Sequence, residues 1–257
     1  MRMRTGKIER FESLESSGRA RLLSNYFPRI LNNCLGIGRR LLPQSCLLCG
    51  SISATGPLCP PCYEDLPWLP GSHCAVCALP LTSGRVCGAC LNRPPRFDRV
   101  EAVFAYRFPM DALIHTFKYG RRLALARFLG ESLTGQVARD VDAIVPMPLA
   151  HGRLAERGFN QALEIARVVA AATGIALLPR ACRKVTETPA QAMLPWKERA
   201  RNVRRAFVCD ADFEGKRIAV VDDVLTTGAT LNELARVLRK AGAAEVRGWV
   251  VARTLPR

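Results

Sequence analysis

The sequence has no long apolar run, and this absence excludes a membrane-spanning protein. No stretch approaches the roughly 18–20 apolar residues that a transmembrane helix needs. The N-terminus also lacks the charged region, apolar region and cleavage site of a secretory signal peptide. We therefore expect a soluble, cytoplasmic protein with no transmembrane segment.

Histidine is scarce, which leaves few candidates for a general base. The three histidines are His73, His115 and His151. Each of them is more typical of a structural or exposed residue than of a proton-transfer group, so the sequence assigns no catalytic residue.

Acidic residues are also few in comparison with basic residues. The chain has 22 Asp and Glu against 38 Lys and Arg, which gives a formal net charge of +16. Such an excess predicts attraction to polyanions, and single-stranded DNA is one candidate partner. A basic surface that only confers solubility is the alternative.

Cysteine, in contrast, is abundant, and eight of the eleven cysteines form an internal repeat. The pattern Cys-x₂-Cys-x₉-Cys-x₂-Cys occurs twice, at Cys46, Cys49, Cys59 and Cys62 and again at Cys74, Cys77, Cys87 and Cys90. Each Cys-x-x-Cys pair offers two thiolates to one metal, and two such pairs complete the tetrahedral Cys₄ shell of structural zinc. The sequence therefore predicts two zinc sites, which would lower the net charge to about +12.

The pairing of these cysteines is open from the sequence. Closure within each copy would produce two consecutive zinc ribbons, whereas alternate pairs would produce a cross-braced site. The repeat favours consecutive closure. Disulfides are disfavoured because the chain has no secretion signal. Cys34, Cys182 and Cys209 stand alone and are predicted to be buried apolar residues.

A second strong pattern lies in the C-terminal half. Residues 218–221 form an apolar, mostly β-branched run that is typical of a central parallel strand. Asp222 and Asp223 follow it, and apolar residues at helical spacing begin at Leu231. The intervening loop holds Thr226, Thr227, Gly228, Ala229 and Thr230.

This arrangement predicts a site for a ribose 5-phosphate. A helix N-terminus offers unpaired N–H groups and the positive end of the helix dipole to a phosphate. Carboxylates accept hydrogen bonds from vicinal hydroxyls and can hold Mg²⁺. The loop is neither a Walker A sequence nor a Gly-x-Gly-x-x-Gly fingerprint. A simple helix-capping loop is the alternative.

Another group of hydrogen-bond donors follows the predicted strand at residues 143–148. It contains Arg153 and Arg157 in a predicted loop before a helix at about residues 162–172. Donors at the carboxyl end of a strand could hold a pyrophosphate through arginine forks. Alternatively, the arginines only solvate a surface loop.

The alternation of strands and helices predicts an α/β fold with a mostly parallel sheet and flanking helices. We predict three parts: a basic N-terminal extension with a short helix at residues 1–42, a double zinc ribbon at 43–94, and the α/β domain at 95–257. The basic stretch at 180–205 suits a mobile lid or a polyanion-binding surface. Its Trp196 could stack on a base or act as a packing anchor.

The motif at residues 220–230 resembles the signature of type I phosphoribosyltransferases, which bind phosphoribosyl pyrophosphate. Together with the cysteine repeat, it also resembles the ComF family of bacterial competence proteins. The further residues that carry this resemblance are residues 145–149, Arg153, residues 157–161, Gln191, Arg199 and Asn202.

The resemblance implies a zinc module on a phosphoribosyltransferase-type domain. It also implies a role in handling incoming single-stranded DNA during natural transformation or DNA utilisation, with the competence DNA-uptake machinery as a candidate partner. Asp222 and Asp223 would contact the ribose hydroxyls or Mg²⁺, and residues 226–230 would hold the 5-phosphate. The protein would be either a transferase of the glycosyltransferase class or a non-catalytic DNA-binding adaptor that uses this site as a sensor. Because neighbouring strand residues point to opposite faces, both acids reach one sugar only if the chain turns there.

Overall fold

The computed structural model describes residues 44–54, 56–120, 122–186 and 205–256. The predicted N-terminal helix lies outside the described residues, as do Gln191, Trp196, Arg199 and Asn202. In the described ranges, no helix is both long enough and apolar enough to cross a membrane.

The N-terminal part consists of two small cysteine-containing units. The first has an antiparallel pair, β1 (Gln44–Ser45) and β2 (Ile52–Ser53), followed by the short helix α1 (Pro60–Glu64). The second contains the short helix α2 (Gly88–Asn92). Cys59 and Cys87 are the N-caps of these helices. The last cysteine of each tetrad is therefore positioned by a helix that begins at the third.

A five-stranded parallel sheet forms the centre of the rest of the chain. In spatial order its strands are β3 (Arg99–Ala105), β9 (Glu245–Arg253), β8 (Arg217–Leu225), β4 (Ala143–Pro146) and β5 (Ala176–Leu177). All four neighbouring pairs are parallel. The α/β fold predicted from the sequence is thus confirmed, and the last strand of the chain lies between β3 and β8.

Within the described residues, five helices connect the strands of this sheet. They are α3 (Met110–Tyr119), α4 (Ala124–Thr134), α5 (His151–Arg157), α6 (Gln161–Thr173) and α7 (Ala229–Lys240). A separate antiparallel pair, β6 (Cys182–Lys184) and β7 (Phe207–Cys209), lies before β8 in the chain. Arg153 and Arg157 belong to α5, so the prediction of a loop at these residues was wrong. This helix ends at Gly158, whose φ of 80° suits a residue without a side chain.

The sheet is buried on both faces, as the apolar run in β8 predicts. Ala219 and Val221 pack in one hydrophobic cluster with residues of α4 and α6. Ile218 and Val220 pack in the other cluster with residues of α7. This alternation is the period-two pattern of a strand with helices on both sides.

The cysteine-containing units pack against the edge of the sheet at β3. Leu69 N–H donates to the Val103 carbonyl at 2.9 Å, and Ala105 N–H donates to the Pro67 carbonyl at 2.7 Å. The segment between the two tetrads therefore covers an edge strand that would otherwise expose unpaired backbone groups. The first unit contributes Leu58 to one hydrophobic cluster, and the second contributes Ala78 to the other.

Candidate functional site

A cavity of about 510 Å³ lies where β4 and β8 end. Most of its wall comes from the β8–α7 connection, the α5–α6 region and the last turns of α3, and Tyr106, Lys184 and Thr254 also line it. Of the sequence-predicted residues, those that line it are Arg153, Arg157, Asp222, Asp223, Thr226, Gly228, Ala229 and Thr230. Thr227 does not line the cavity, and its hydroxyl instead accepts a hydrogen bond from Ala229 N–H at 3.1 Å.

The two adjacent acids occupy different environments within this cavity. Both belong to β8, which extends beyond the predicted apolar run. Asp223 is buried, and its Oδ2 lies 2.7 Å from the Lys118 ammonium. The Oδ1 of Asp222 accepts a hydrogen bond from the Asp223 N–H at 2.9 Å. The structure therefore brings both acids to one cavity, and one of them is already ion-paired.

The close carboxylates affect each other's protonation. Burial, together with the negative charge of Asp223, raises the pKa of Asp222 to about 7. Burial is the largest single effect on Lys118 and disfavours its charged form, but the charge and hydrogen bond of Asp223, together with the charge of Asp222, outweigh it, so the pKa of Lys118 is raised. An added cation would favour ionisation of both acids.

Lys118 is a site residue that the sequence reasoning missed. It lies in the last turn of α3, and no sequence motif connects it with an acid more than a hundred residues away. Packing of α3 against the sheet brings its last turn to the cavity, where His115 and Tyr119 also lie. The ring centroids of His115 and Tyr119 are 4.7 Å apart.

The other two histidines do not line the cavity. His73 Nδ1 lies 3.2 Å from the Pro70 carbonyl oxygen. His151 is exposed at the first residue of α5.

The N-terminus of α7 faces the cavity through its capping glycine. Gly228 adopts a φ of 78°, a left-handed conformation that favours glycine. The first turn of α7 contains no acidic residue, and the N-cap Gly228 has no side chain to accept from it, although the Thr227 hydroxyl accepts from Ala229 N–H. The positive end of the helix dipole is therefore directed towards the cavity without a fixed negative charge on the first turn.

Arg157 is held in the opposite wall by two hydrogen bonds. Its guanidinium donates to the Gln161 Oε1 and to the Tyr119 hydroxyl, both at 3.0 Å. It also lies 5.0 Å from the centroid of the Tyr119 ring. Among the described residues, Arg157 Nε and Gln161 Nε2 have no hydrogen-bond partner although both atoms are buried. Both atoms are shielded from solvent, so a ligand would reach them only if this wall rearranged.

Asn160 has a structural role in the same wall. Its side chain accepts a hydrogen bond from Ala162 N–H and donates to the Met147 carbonyl, both at 3.0 Å. It therefore caps α6 and joins this helix to the segment after β4.

The eight repeated cysteines form two compact tetrads. The sulfur atoms of Cys46, Cys49, Cys59 and Cys62 lie within 4.8 Å of one another, and so do those of Cys74, Cys77, Cys87 and Cys90. Tetrahedral zinc with Zn–S bonds of 2.3 Å separates its sulfurs by about 3.8 Å. The separations are 3.6 Å for Cys49–Cys59 and for Cys77–Cys87. Both tetrads thus fit structural zinc, and the consecutive pairing is confirmed.

Thiolate formation in the first tetrad is favoured at one cysteine and opposed at another. Burial disfavours the Cys46 thiolate, but surrounding backbone N–H groups outweigh it and lower the pKa of Cys46 to about 6. The neighbouring sulfurs of Cys59 and Cys49 raise the pKa of Cys62 to about 12. Four thiolates together consequently need a cation such as Zn²⁺.

Arg253 links the second tetrad to the segment that precedes α7. This side chain is buried, and its Nε donates to the Cys77 carbonyl at 2.8 Å. Its Nη1 donates to the Leu225 carbonyl at 3.0 Å and to the Thr254 carbonyl at 2.8 Å. Burial lowers the pKa of Arg253, and the nearby Cys77 thiolate opposes this effect. A negatively charged zinc–thiolate centre would therefore stabilise the guanidinium.

The parallel sheet, the acidic pair at the end of β8 and the glycine-capped helix define a phosphoribosyltransferase-type domain. The protein-family model described as "Phosphoribosyl transferase domain" matches residues 197–255, and "Double zinc ribbon domain" matches residues 37–91. The chain belongs to the ComF family, as its similarity to named relatives shows.

Competence protein F of Haemophilus influenzae is 34% identical over 209 residues, which cover 76% of this chain and 90% of the relative. DNA utilization protein YhgH of Escherichia coli is 35% identical over 191 residues, which cover 71% of this chain and 84% of the relative. Competence protein ComFC of Streptococcus pneumoniae is 28% identical over 154 residues, which cover 60% of this chain and 67% of the relative. The family resemblance inferred from the motifs is thereby confirmed.

A solved structure of purine phosphoribosyltransferase from Pyrococcus horikoshii is 21% identical to this chain. The match covers 53% of this chain and 85% of the solved chain, with a TM-score of 0.30.

Proposed function

We propose that the cavity at the end of β8 binds phosphoribosyl pyrophosphate together with Mg²⁺. The observation that carries this proposal is the convergence of three kinds of group on one cavity: an acidic pair, a helix N-terminus and arginines. These match the three parts of the ligand, which are the ribose hydroxyls with their metal, the 5-phosphate and the pyrophosphate.

The 5-phosphate would bind at the N-terminus of α7. Gly228 lets the backbone approach the phosphate closely, and Thr226 and Thr230 bring hydroxyl groups to the same wall. Thr227 would act indirectly, because its hydroxyl holds the Ala229 N–H in place.

The ribose hydroxyls and Mg²⁺ would meet Asp222 and Asp223. Mg²⁺ prefers carboxylate oxygen ligands together with ligand phosphates and water. In the described structure, the Lys118 ammonium forms an ion pair with Asp223 and is the positive charge nearest to this carboxylate. Arrival of Mg²⁺ would place a second cation beside Asp223, so the Lys118 ammonium would be repelled towards the anionic ligand.

The pyrophosphate would be held from the α5–α6 wall. Arg157 is pre-oriented by Tyr119 and Gln161, and it lines the cavity. Arg153 lines the same wall. Arginine forks suit phosphate oxygens because they offer two parallel donors.

The biological role would be competence or the uptake and use of single-stranded DNA. This proposal is supported by the printed names of the relatives and by the net charge of +16. A reaction would be transfer of the phosphoribosyl group to a nitrogen nucleophile, with pyrophosphate as the leaving group. The second candidate, a DNA-binding adaptor that senses the ligand without turnover, is favoured by the same charge.

The test is calorimetric titration of the zinc-loaded full chain with phosphoribosyl pyrophosphate, with and without Mg²⁺, followed by a pyrophosphate-release assay with a panel of bases. We expect saturable binding that is at least tenfold tighter with Mg²⁺. Turnover would support the transferase, and binding without turnover would support the sensor. Absence of saturable binding in both conditions would overturn the proposed site.

Binding to single-stranded DNA is expected to weaken steeply as salt increases. Each phosphate contact to a single strand contributes about 0.7 to the slope of log affinity against log salt, so four contacts weaken binding roughly 50-fold between about 50 and 200 mM salt. Fluorescence anisotropy with a labelled oligonucleotide of mixed sequence measures this slope. An affinity that is absent, or insensitive to salt, would contradict the DNA-binding role and leave the ligand site untouched.

A further inference from the structure

Cys182 and Cys209, which the sequence predicts to stand alone, lie directly opposite each other in the β6–β7 pair. Cys182 is buried and Cys209 is half-buried. The prediction of burial is therefore correct for Cys182, but the prediction that the two cysteines stand alone was wrong. In the described part of the chain, neither cysteine belongs to a zinc-type tetrad.

The hydrogen bonds of the pair identify its geometry. Val185 N–H donates to the Ala206 carbonyl at 2.8 Å, and Asp210 N–H donates to the Ala181 carbonyl at 3.1 Å. Hydrogen-bonded and non-hydrogen-bonded pairs alternate along an antiparallel ladder. Since 181–210 is a hydrogen-bonded pair, the adjacent Cys182–Cys209 pair is non-hydrogen-bonded.

This type of pair brings two cysteines close enough for a covalent bond. In a non-hydrogen-bonded antiparallel pair the Cα atoms lie about 4.5 Å apart and both side chains point to the same face. Disulfides join cysteines whose Cα atoms are roughly 4.4–6.8 Å apart. The backbone would therefore need little movement to accommodate the bond.

The two thiols differ in access, which suggests an order of reaction. Cys209 is half-buried, and its thiol donates to the Ala211 carbonyl at 3.4 Å. Burial, and then the charge of Cys209, raises the pKa of Cys182. Cys209 is thus the thiol that a small molecule reaches first, and Cys182 is the thiol positioned to react second.

We propose that Cys182 and Cys209 form a reversible redox modification site that is oxidised by low-molecular-weight disulfides of the glutathione class. The Cys209 thiolate attacks one sulfur of the small disulfide, forms a mixed disulfide and releases one small thiol. The Cys182 thiolate then attacks the Cys209 sulfur and releases the second small thiol. Two protein thiols are oxidised, the small disulfide is reduced to two thiols, and the two cysteine protons pass to the departing thiolates.

The Cys182–Cys209 disulfide would form beside the cavity at the end of β8. Lys184, two residues after Cys182, lines that cavity, and its ammonium lies 5.9 Å from the ring centroid of Phe207. The chain between β6 and β7 contains Arg199 and Asn202. A disulfide would join both ends of this connection and hold the register of the strands that flank it.

The experiment uses zinc-loaded full-length protein that carries Cys34→Ser, so that the pair supplies the remaining cysteines outside the tetrads. The protein is equilibrated at increasing ratios of oxidised to reduced glutathione, its free thiols are alkylated, and its peptides are analysed by mass spectrometry. We expect a cross-linked peptide pair containing residues 182 and 209 that has lost two hydrogens, reversal by excess reduced glutathione, and no loss of zinc. Both thiols remaining reduced until zinc is released would overturn the proposal.

Two single variants separate the pair from general cysteine reactivity. In Cys182→Ala, the glutathione adduct is expected to persist on Cys209, because no second thiol displaces it. In Cys209→Ala, Cys182 is expected to remain unmodified because it is buried. A persistent adduct on Cys209 in the protein that retains Cys182 would contradict the second step.

A thermal measurement tests whether the bond fits the native fold. Oxidation should raise the unfolding midpoint by several degrees in the protein with both cysteines, because the cross-link restricts the unfolded chain. Oxidation should leave the unfolding midpoint of the Cys182→Ala variant unchanged, because this variant cannot form the cross-link. An unchanged midpoint in the cross-linked protein would contradict the inferred strand geometry.

Discussion

Replacing Cys74 by serine is expected to lower the zinc content from two ions per chain to one and to unfold the second cysteine unit. Cys74 is fully buried, and its sulfur accepts a hydrogen bond from Cys87 N–H at 3.3 Å. Structural zinc sites contribute roughly 10–16 kcal/mol in small zinc-binding peptides, which is comparable with the whole stability of a domain. Metal analysis and thermal unfolding measure the two effects.

The control for this variant is Cys34→Ser, which changes a cysteine outside both tetrads. It should retain two zinc ions per chain. If Cys74→Ser also retained two ions and unfolded at the wild-type temperature, the zinc assignment of the second tetrad would be wrong.

The loss of the second zinc should also reach the proposed phosphate loop through Arg253. The guanidinium contacts the Cys77 carbonyl and the Leu225 carbonyl, and without a zinc–thiolate centre it is buried with less compensating charge. Amide hydrogen exchange at residues 225–230 should therefore be faster in Cys74→Ser than in Cys46→Ser, which removes the other zinc. Equal exchange in the two variants would show that Arg253 does not couple the sites.

The substitution Asp223→Asn is expected to weaken Mg²⁺-dependent binding of phosphoribosyl pyrophosphate by about 100-fold or more. It removes a charged metal ligand in the proposed complex, and one lost charge-assisted contact of this kind contributes several kcal/mol. It also leaves the Lys118 ammonium, now 2.7 Å from a carboxylate oxygen, beside a neutral amide. Calorimetric titration measures the affinity.

Loss of folding must be separated from loss of binding, because an unpaired buried ammonium costs roughly 3–5 kcal/mol. The double variant Asp223→Asn with Lys118→Met removes both members of the ion pair and should recover much of the lost stability without recovering binding. Asp65→Asn, which changes an exposed acid in the first cysteine unit, should leave affinity and stability unchanged. Wild-type affinity in a folded Asp223→Asn variant would exclude Asp223 from the site.

The parts of this protein that the sequence predicted correctly are those whose residues are close together along the chain. The cysteine tetrads are an example, because each set of four ligands spans fewer than twenty residues and the spacing is repeated. The strand, acidic pair and glycine loop of β8 and α7 are another example. Among the described residues, the structure corrected this local prediction where α5 forms in place of a loop and where β8 continues to Leu225.

The remaining features depend on contacts between distant segments. Lys118 meets Asp223 because α3 packs against the sheet, and Arg253 meets Cys77 because β9 lies beside β3 and the second cysteine unit packs there. Cys182 meets Cys209 because β6 and β7 pair in one particular register. No local pattern distinguishes these partners from the many other charged or cysteine residues of the chain.

The sequence by itself determined the α/β class, the two metal-type tetrads and the loop that lines the cavity at the end of β8. These follow from periodicity, from the fixed spacing of metal ligands and from the backbone freedom of Gly228, all of which act over a few residues. Only the tertiary structure decided that both acids and the arginines share one cavity, that Lys118 already pairs with Asp223, and that two isolated cysteines face each other. Those outcomes depend on strand order and register, which the packing of the whole chain sets.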